Sequence, residues 1–336
     1  MRVPSMLPPE PVEPAAIPDP GRLIVGVGAH ELEPRPVDTR RSAQPAYRSD
    51  AVLDGFGNAH WTVRAASVRG DDHREGGIPR QDDFALGQHP RSGTLVLAVA
   101  DGVSAAAESH HAALHVTRRA VDLLLGQVGS RSGLDLDKVV EHCAYVPMAL
   151  TMQLWGLREP DAELAVRQLS CTLTLVVVRP EEGHLLATSV TVGDGAVGIL
   201  SGEGISMLQG GKRGTGGISS SAVLALPRRP ELIEITTAAV SPGEVLLVGT
   251  DGIWDPLGSG HNQVGDMFRE TLLPGPPSLM QFGRVTDFSR ETWDDDRTLI
   301  AIWPSVPGAE RRDRAAREMP RFLEPPPPAG DGGSAS

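Results

Sequence analysis

Between about Gly57 and Trp303 the chain alternates short apolar runs with polar, glycine-rich breaks. Thr62–Val68 alternates in part and predicts a strand. Thr94–Ala100 and Thr172–Val178 are almost continuously apolar, as strands buried on both faces are. Leu185–Val192, Ala196–Leu200, Leu232–Thr237, Glu244–Val248 and Thr298–Ile302 read as further strands, and a strand-like start stands at Phe84. Two stretches carry helical spacing instead. Ser104 can cap a helix whose small and apolar face includes Ala105, Ala112, Val116, Ala120 and Leu123. A second helix is expected from about Leu134 to Trp155, bent or broken at Pro147. Runs of strands with segregated helices predict an α+β fold with helices packed on antiparallel sheets.

The ends differ from this middle. Residues 1–45 hold ten of the 29 prolines, and a segment so rich in proline predicts a disordered arm. The short run Leu23–Val27 is the one piece of it able to add a strand. Residues 305–336 pass from charges through Pro325–Pro328 to a Gly/Ser end and read as a disordered tail. This leaves 57–304 as one folded domain. Met1–Pro20 has no apolar core and does not read as a signal peptide. The apolar runs, such as Leu173–Val178, fall far below the roughly 18 residues of a membrane span. A cytoplasmic protein with no membrane partner is expected.

Composition narrows the function. Of the 336 residues 40% are hydrophobic and only 4% aromatic, so aliphatic side chains must fill the core. The formal charge of −12 lacks the basic footprint of a nucleic-acid binder. Lysine occurs only at 138 and 212, arginine supplying the other basic side chains, as in a GC-rich genome. Cys143 and Cys171 form no CxxC pair and no Cys-x5-Arg loop, so zinc-ribbon, redox and cysteine-phosphatase chemistry are not indicated.

Aspartates stand at the strand ends. Asp101-Gly102, Asp194-Gly195 and Asp251-Gly252 each follow an apolar run, while Asp82-Asp83 and Asp294-Asp295-Asp296 each precede one. Taken singly, Asp-Gly is first a turn signal and the triple Asp a solvated loop. Taken together they are rigidly held carboxylates whose convergence makes an oxygen-rich site of the kind Mg²⁺ or Mn²⁺ prefers. Glycine beside Asp also lets a backbone carbonyl approach an ion.

The ordered set resembles the type 2C (PPM) metal-dependent protein phosphatases, most nearly their bacterial members. The pieces are Gln81-Asp82-Asp83-Phe84, Val99-Ala100-Asp101-Gly102, Ser170-Cys171-Thr172-Leu173-Thr174, Val192-Gly193-Asp194, Gly249-Thr250-Asp251-Gly252-Ile253-Trp254-Asp255 and Asp295-Asp296-Arg297-Thr298. The resemblance implies a four-layer αββα sandwich of two antiparallel sheets flanked by helices. It implies two Mn²⁺ or Mg²⁺ ions, with a third held more weakly. Asp101 resembles the carboxylate that bridges both ions and the Gly102 carbonyl a ligand of one. Asp251 and Asp296 resemble ligands of the first, with Asp295 a substitute for Asp296. Asp82 and Asp83 match an acidic pair that holds ion-bound waters, and Asp194 a ligand of the third ion. The implied reaction is hydrolysis of phosphoserine or phosphothreonine in proteins, the targets of a Ser/Thr kinase, by a water bridging the metals.

Departures from the pattern concern the phosphate grip. The family's arginine stands in a Gly-x-x-Arg setting; here Gly70-Asp71-Asp72-His73-Arg74 puts His73 at that spacing with Arg74 next. Arg74 offers a bidentate grip and His73 a protonated donor; a solvent-exposed loop is the plain reading of both. Val103 stands where many members have His, leaving His110 and His111 as nearby imidazoles that fit a helix face. Arg297 replaces a frequent Asn. Gln209–Ser221 falls where the family carries a mobile flap. The competing readings are a non-catalytic pseudophosphatase that binds phosphoproteins, and a small-molecule metallophosphatase or nuclease.

Overall fold

The computed structural model describes residues 22–28, 49–130, 133–211 and 224–305. Eleven strands and seven helices follow in the order β1 (Ala51–Gly57), β2 (Trp61–Val68), α1 (Asp71–Gly76), β3 (Asp83–Gln88), β4 (Leu95–Ala100), α2 (Ser109–Val128), α3 (Leu136–Trp155), α4 (Ala162–Gln168), β5 (Leu173–Glu181), β6 (His184–Val192), β7 (Ala196–Ser201), β8 (Gly204–Gly210), β9 (Ile235–Val240), β10 (Val245–Gly249), α5 (Asp251–Leu257), α6 (Gln263–Leu272), α7 (Leu279–Thr286) and β11 (Arg297–Pro304) among the described residues.

The strands form two sheets, β1-β2-β11-β10-β7-β8 and β3-β4-β5-β6-β9, with antiparallel pairing throughout. The period-2 geometry of a strand explains the layers. In β4, Leu95, Leu97 and Val99 point between the sheets, where they meet Val63, Val176, Val248 and Ile300. Val96, Ala98 and Ala100 point the other way, against Ala112, Val116, Ala120 and Leu124 of α2 and Val139 and Val140 of α3. With both faces covered, β4 reads as an unbroken apolar run. The outer face of the six-stranded sheet packs Ala66, Leu247 and Leu299 under Phe268 of α6 and Phe282 of α7. The result is the expected αββα sandwich, helix–sheet–sheet–helix.

Several expectations change. Among the described residues seven helices stand where two were expected. α1 has six residues and α5 seven, too short for a periodic signal and full of Asp, Gly or Pro. α6 and α7 are fixed by the Asn262 and Ser278 side chains, which accept from the N–H groups of Gly265 and Gln281. Ser104 caps nothing: α2 begins at Ser109 after a turn. α3 runs unbroken through Pro147, because Val139, Val140 and Cys143 before it and Leu150 after it are buried in one core. β1, an edge strand exposed over much of its length, extends the sheet ahead of Gly57.

Of the expected arm, residues 22–28 are described, and they lie on the domain. Ile24 bridges Ser289 in parallel and Val25 is buried. Val25 N–H donates to Ser289 O at 3.0 Å, and Ser289 N–H to Leu23 O at 2.7 Å. The rest of 1–45 up to Gly21 and beyond Gly28, the tail from 306, and 212–221 of the expected flap lie outside the described residues. No described helix is long and apolar enough to cross a membrane.

Candidate metal centre

Antiparallel register brings the aspartates to one end of the sandwich. Gly249 pairs with Ala196, which sets Asp251 at the start of α5 beside the turn carrying Asp194. Asp83 pairs with Ala100, which sets Asp82 beside Asp101. Oxygens of Asp101, Asp194 and Asp251 all lie within 4.8 Å of one another.

Threonines hold these carboxylates in place. The backbone of Asp101 is clamped by Thr172: Asp101 N–H donates to Thr172 Oγ1 at 3.0 Å and Thr172 N–H to Asp101 O at 2.7 Å. Asp82 Oδ2 accepts from Thr250 Oγ1 at 2.8 Å and from Thr298 Oγ1 at 2.9 Å. The Asp82 and Asp101 carboxyl groups also hydrogen-bond each other. Gly102 bridges Cys171 in the backbone. Asp83 is buried; its Oδ1 accepts from Phe84 N–H at 2.9 Å and its Oδ2 lies 3.5 Å from Arg118 Nη1.

Crowding sets the electrostatics. Burial first, then the charges of Asp296 and Asp295, push the Asp82 carboxyl up to about 8. Burial, then Asp82, Asp251 and Asp295, hold Asp101 well above the usual carboxylate range. Carboxylates gathered so closely repel one another without a cation. The donor set is oxygen only, and it fits hard divalent ions.

The two aspartates of the last motif meet different partners. Asp296 was expected to ligate metal. Its Oδ1 accepts from Gly70 N–H at 2.7 Å and lies 2.9 Å from His73 Nδ1, and its Oδ2 accepts from Gln81 N–H. Both oxygens thus already have partners, although the charge of Asp296 still bears on Asp82. Burial opposes ionisation of Asp296, but the His73 bond and these N–H groups win and lower its pKa. Asp295, whose Oδ1 accepts from Asp296 N–H at 2.8 Å, is the residue of the pair whose charge raises Asp101. Two glycines clamp this segment by close approach: a Cβ on Gly70 would stand 2.2 Å from the Asp295 carbonyl carbon, and one on Gly252 1.9 Å from Asp296 O.

His73 and Arg74 lie in α1 rather than in an exposed loop, and both are committed. Burial would lower the His73 pKa, yet the hydrogen bond and charge of Asp296, with Asp295 and Asp72, raise it from 6.5 to about 9. Arg74 reaches Asp50 at 3.2 Å, Asp287 at 3.1 Å and Asp71 at 3.4 Å. Arg22 joins the same network, with Asp71 at 2.6 Å and Asp287 at 2.9 Å. The Arg74 guanidinium thus faces carboxylates on three sides. Nearby arginines are engaged as well: Arg64 with Pro277 O, Arg69 with Asp50, Arg80 with Ser67 Oγ and Asp82 O. Arg297 is buried over the Phe288 ring. Arg118 differs, its side chain 55% exposed beside Asp83.

Sequence reasoning missed Arg22, Thr172, Thr298 and Arg118 as parts of this region. The threonines carried a signal, since each belongs to a motif beside an aspartate; Arg22 and Arg118 carried none. The cysteines are free and buried. Burial pushes the Cys143 thiol up to about 12 and raises Cys171 too, the opposite of an activated nucleophile.

Comparison with known proteins agrees. Residues 69–278, more than half of the chain, match the family model described as Protein phosphatase 2C. Among curated proteins no match was found. Similar solved structures include RsbX, at 16% identity with 76% of this chain and 100% of that chain covered and a TM-score of 0.44. The S. agalactiae serine/threonine phosphatase is 12% identical, with 76% and 100% covered and a TM-score of 0.48. The Mycobacterium tuberculosis serine/threonine phosphatase PstP/Ppp is 15% identical, with 72% and 98% covered and a TM-score of 0.47. With the family match spanning the aspartate motifs from Asp82 to Asp251, the chain belongs to the protein phosphatase 2C family of metal-dependent serine/threonine phosphatases.

Proposed function

We propose that Asp101, Asp194 and Asp251, with Asp82 and Asp295, hold Mg²⁺ or Mn²⁺, and that the substrate is a phosphoserine or phosphothreonine side chain of a protein. The observation that carries this reading is the convergence of three strand-end carboxylates within 4.8 Å. Divalent ions bound there supply charge neutralisation at the phosphoryl oxygens and lower the pKa of an attacking water. The chain's own residues fix the geometry. Thr172 holds the Asp101 backbone, and Thr250 and Thr298 hold the Asp82 carboxylate. The exposed Arg118 guanidinium, next to Asp83, is placed to draw in a phosphorylated segment. No protein nucleophile is needed, in keeping with the two buried, raised cysteine thiols.

The test is hydrolysis of a phosphothreonine peptide by the full chain after dialysis against chelator, with and without added Mn²⁺ or Mg²⁺. A small aryl phosphate and duplex DNA serve as competing substrates. Activity should depend on the added ion, favour the peptide and nearly vanish in Asp101→Asn. Full activity in excess chelator, or wild-type turnover by Asp101→Asn, would overturn the assignment.

A further inference from the structure

Seven residues beyond Asp101, a second group of ligand-type side chains is gathered that the carboxylate centre does not use. Glu108, His110 and His111 each offer one donor atom, and the three atoms lie within 4.8 Å of one another. Nε2 of His111 is 3.4 Å from Oε2 of Glu108, and Nε2 of His110 is 4.0 Å from the same oxygen. The imidazole centroids are 4.0 Å apart with planes inclined at 36°, so both rings bring Nε2 toward one carboxylate oxygen.

The spacing is informative. Both distances exceed the roughly 2.7–3.2 Å of a good N–H···O bond. A tetrahedral ion with bonds of about 2.0–2.1 Å has ligand–ligand edges of roughly 3.3 Å. The His111–Glu108 distance therefore stands at the edge of such a polyhedron and the His110–Glu108 distance a little beyond it, with all three atoms within 4.8 Å, so that a closing movement would complete the set. They are also sheltered. His110 and His111 are buried, and Oε2 of Glu108 is a buried carboxylate oxygen with no hydrogen bond, an arrangement that is costly unless something positive completes it.

The backbone under the group is fixed in advance. Glu108 N–H donates to Gln168 O at 2.9 Å, and the N–H groups of Ser109 and His111 donate to Ala106 O and Glu108 O, each at 3.0 Å. The donor chemistry is unlike that of the aspartate centre. Two imidazole nitrogens and one carboxylate suit borderline ions such as Zn²⁺, whereas Mg²⁺ takes oxygen and keeps its waters.

We propose that Glu108, His110 and His111 form a binding site for a borderline divalent transition ion, zinc in the first instance, with an open fourth position. Ser109, between the ligands, packs against Gly102, where a Cβ would stand 2.6 Å from Ser109 Oγ. Ligation there fixes the first turn of α2 beside the backbone that follows Asp101. The two sites draw on different residues, so this proposal stands apart from the assignment of the aspartates.

The experiment uses the full chain, stripped by chelator, saturated with Mg²⁺ and titrated with Zn²⁺ by calorimetry. A parallel titration with Co²⁺ is followed by visible absorption. One Zn²⁺ per chain should bind despite excess Mg²⁺, and Co²⁺ should give the intense bands of a four-coordinate, nitrogen-ligated ion. Asp251→Asn should retain this site. His110→Ala, His111→Ala and Glu108→Gln should each weaken it roughly tenfold or more, since losing a ligand costs at least as much as losing its supporting shell. Glu108→Gln preserves shape and decides the matter should an alanine variant fail to fold. Unchanged Zn²⁺ binding in Glu108→Gln, or its loss in Asp251→Asn, overturns the proposal; the second result would place the ion among the aspartates.

Discussion

Nδ1 of His73 stands 2.9 Å from Oδ1 of Asp296, and both side chains are buried. The pair ties α1 to the segment before β11, across more than two hundred residues of chain. His73→Ala should leave a buried charge without its partner, at about 3–5 kcal/mol. The pH dependence has a definite sign. The His73 pKa is raised from 6.5 to about 9, so its stabilisation is complete below about 6.5 and lost as pH rises through about 9. Asp296 is lowered, so its share is present above the ordinary carboxylate range and lost on acidification. Tm followed by circular dichroism from pH 6 to 10 should show the gap between wild type and His73→Ala closing toward pH 10. Parallel profiles would remove the pair from the stability account.

Asp295 and Asp296 should separate in function. Asp295→Asn should raise the Mn²⁺ concentration for half-maximal activity by roughly tenfold or more and leave Tm in chelator unchanged or higher, because one repelling carboxylate is gone. Asp296→Asn should lower Tm, since Gly70, Gln81 and His73 lose a charged acceptor. A larger effect of Asp296→Asn on Mn²⁺ activation would reverse the assignment.

Residues 22–28 act as a strap over α1 and the segment before β11. Arg22 Nη1 donates to both oxygens of Asp71, and its Nε donates to Asp287 O. Arg22→Ala should cost about 1.5–3 kcal/mol, a Tm decrease of roughly 3–12 °C at about 2–4 °C per kcal/mol. Deleting residues 1–28 should lower Tm beyond deleting 1–21, because buried Val25 is also lost. Equal Tm values for the two truncations would show that the strap contributes nothing.

The strands of the sandwich were legible because they are buried on both faces, and runs such as Leu95–Ala100 then lose their polar alternation. Edge strands β1 and β8 were not, since exposed positions interrupt their pattern. The carboxylates at strand ends were legible for the same reason as the strands. What the linear text withholds is which neighbour a side chain meets. Asp295 and Asp296 are chemically identical, and it is the N–H groups of Gly70 and Gln81 and the His73 imidazole, all on Asp296, that tell them apart. Arg74 reads as a free cation until Asp50 and Asp287 arrive from distant stretches of chain to join Asp71 of its own helix.

Arg118 and Arg74 should likewise part company. Arg118 is exposed beside Asp83, and its Nη1 also donates to Leu114 O at 2.8 Å. The contact to buried Asp83 is long, at 3.5 Å, and its guanidinium end is exposed to screening water, so Arg118→Ala should change Tm little. If the guanidinium meets the phosphorylated segment, the loss of a charge-assisted contact is worth about 1.5–3 kcal/mol, or roughly ten- to a hundredfold in kcat/KM. The loss should appear chiefly in KM, because the contact serves capture rather than the chemical step. Lysine should rescue only in part, lacking the planar fork. Arg74→Ala should do the reverse. It strips three carboxylates of their shared cation, so Tm should fall while kcat/KM of the folded fraction changes little. Both variants, assayed with one phosphopeptide and melted in the same buffer, give a two-by-two comparison. A silent Arg118→Ala would reduce Arg118 to a surface partner of Asp83, and a kcat/KM loss in Arg74→Ala at unchanged Tm would return the phosphate grip to α1.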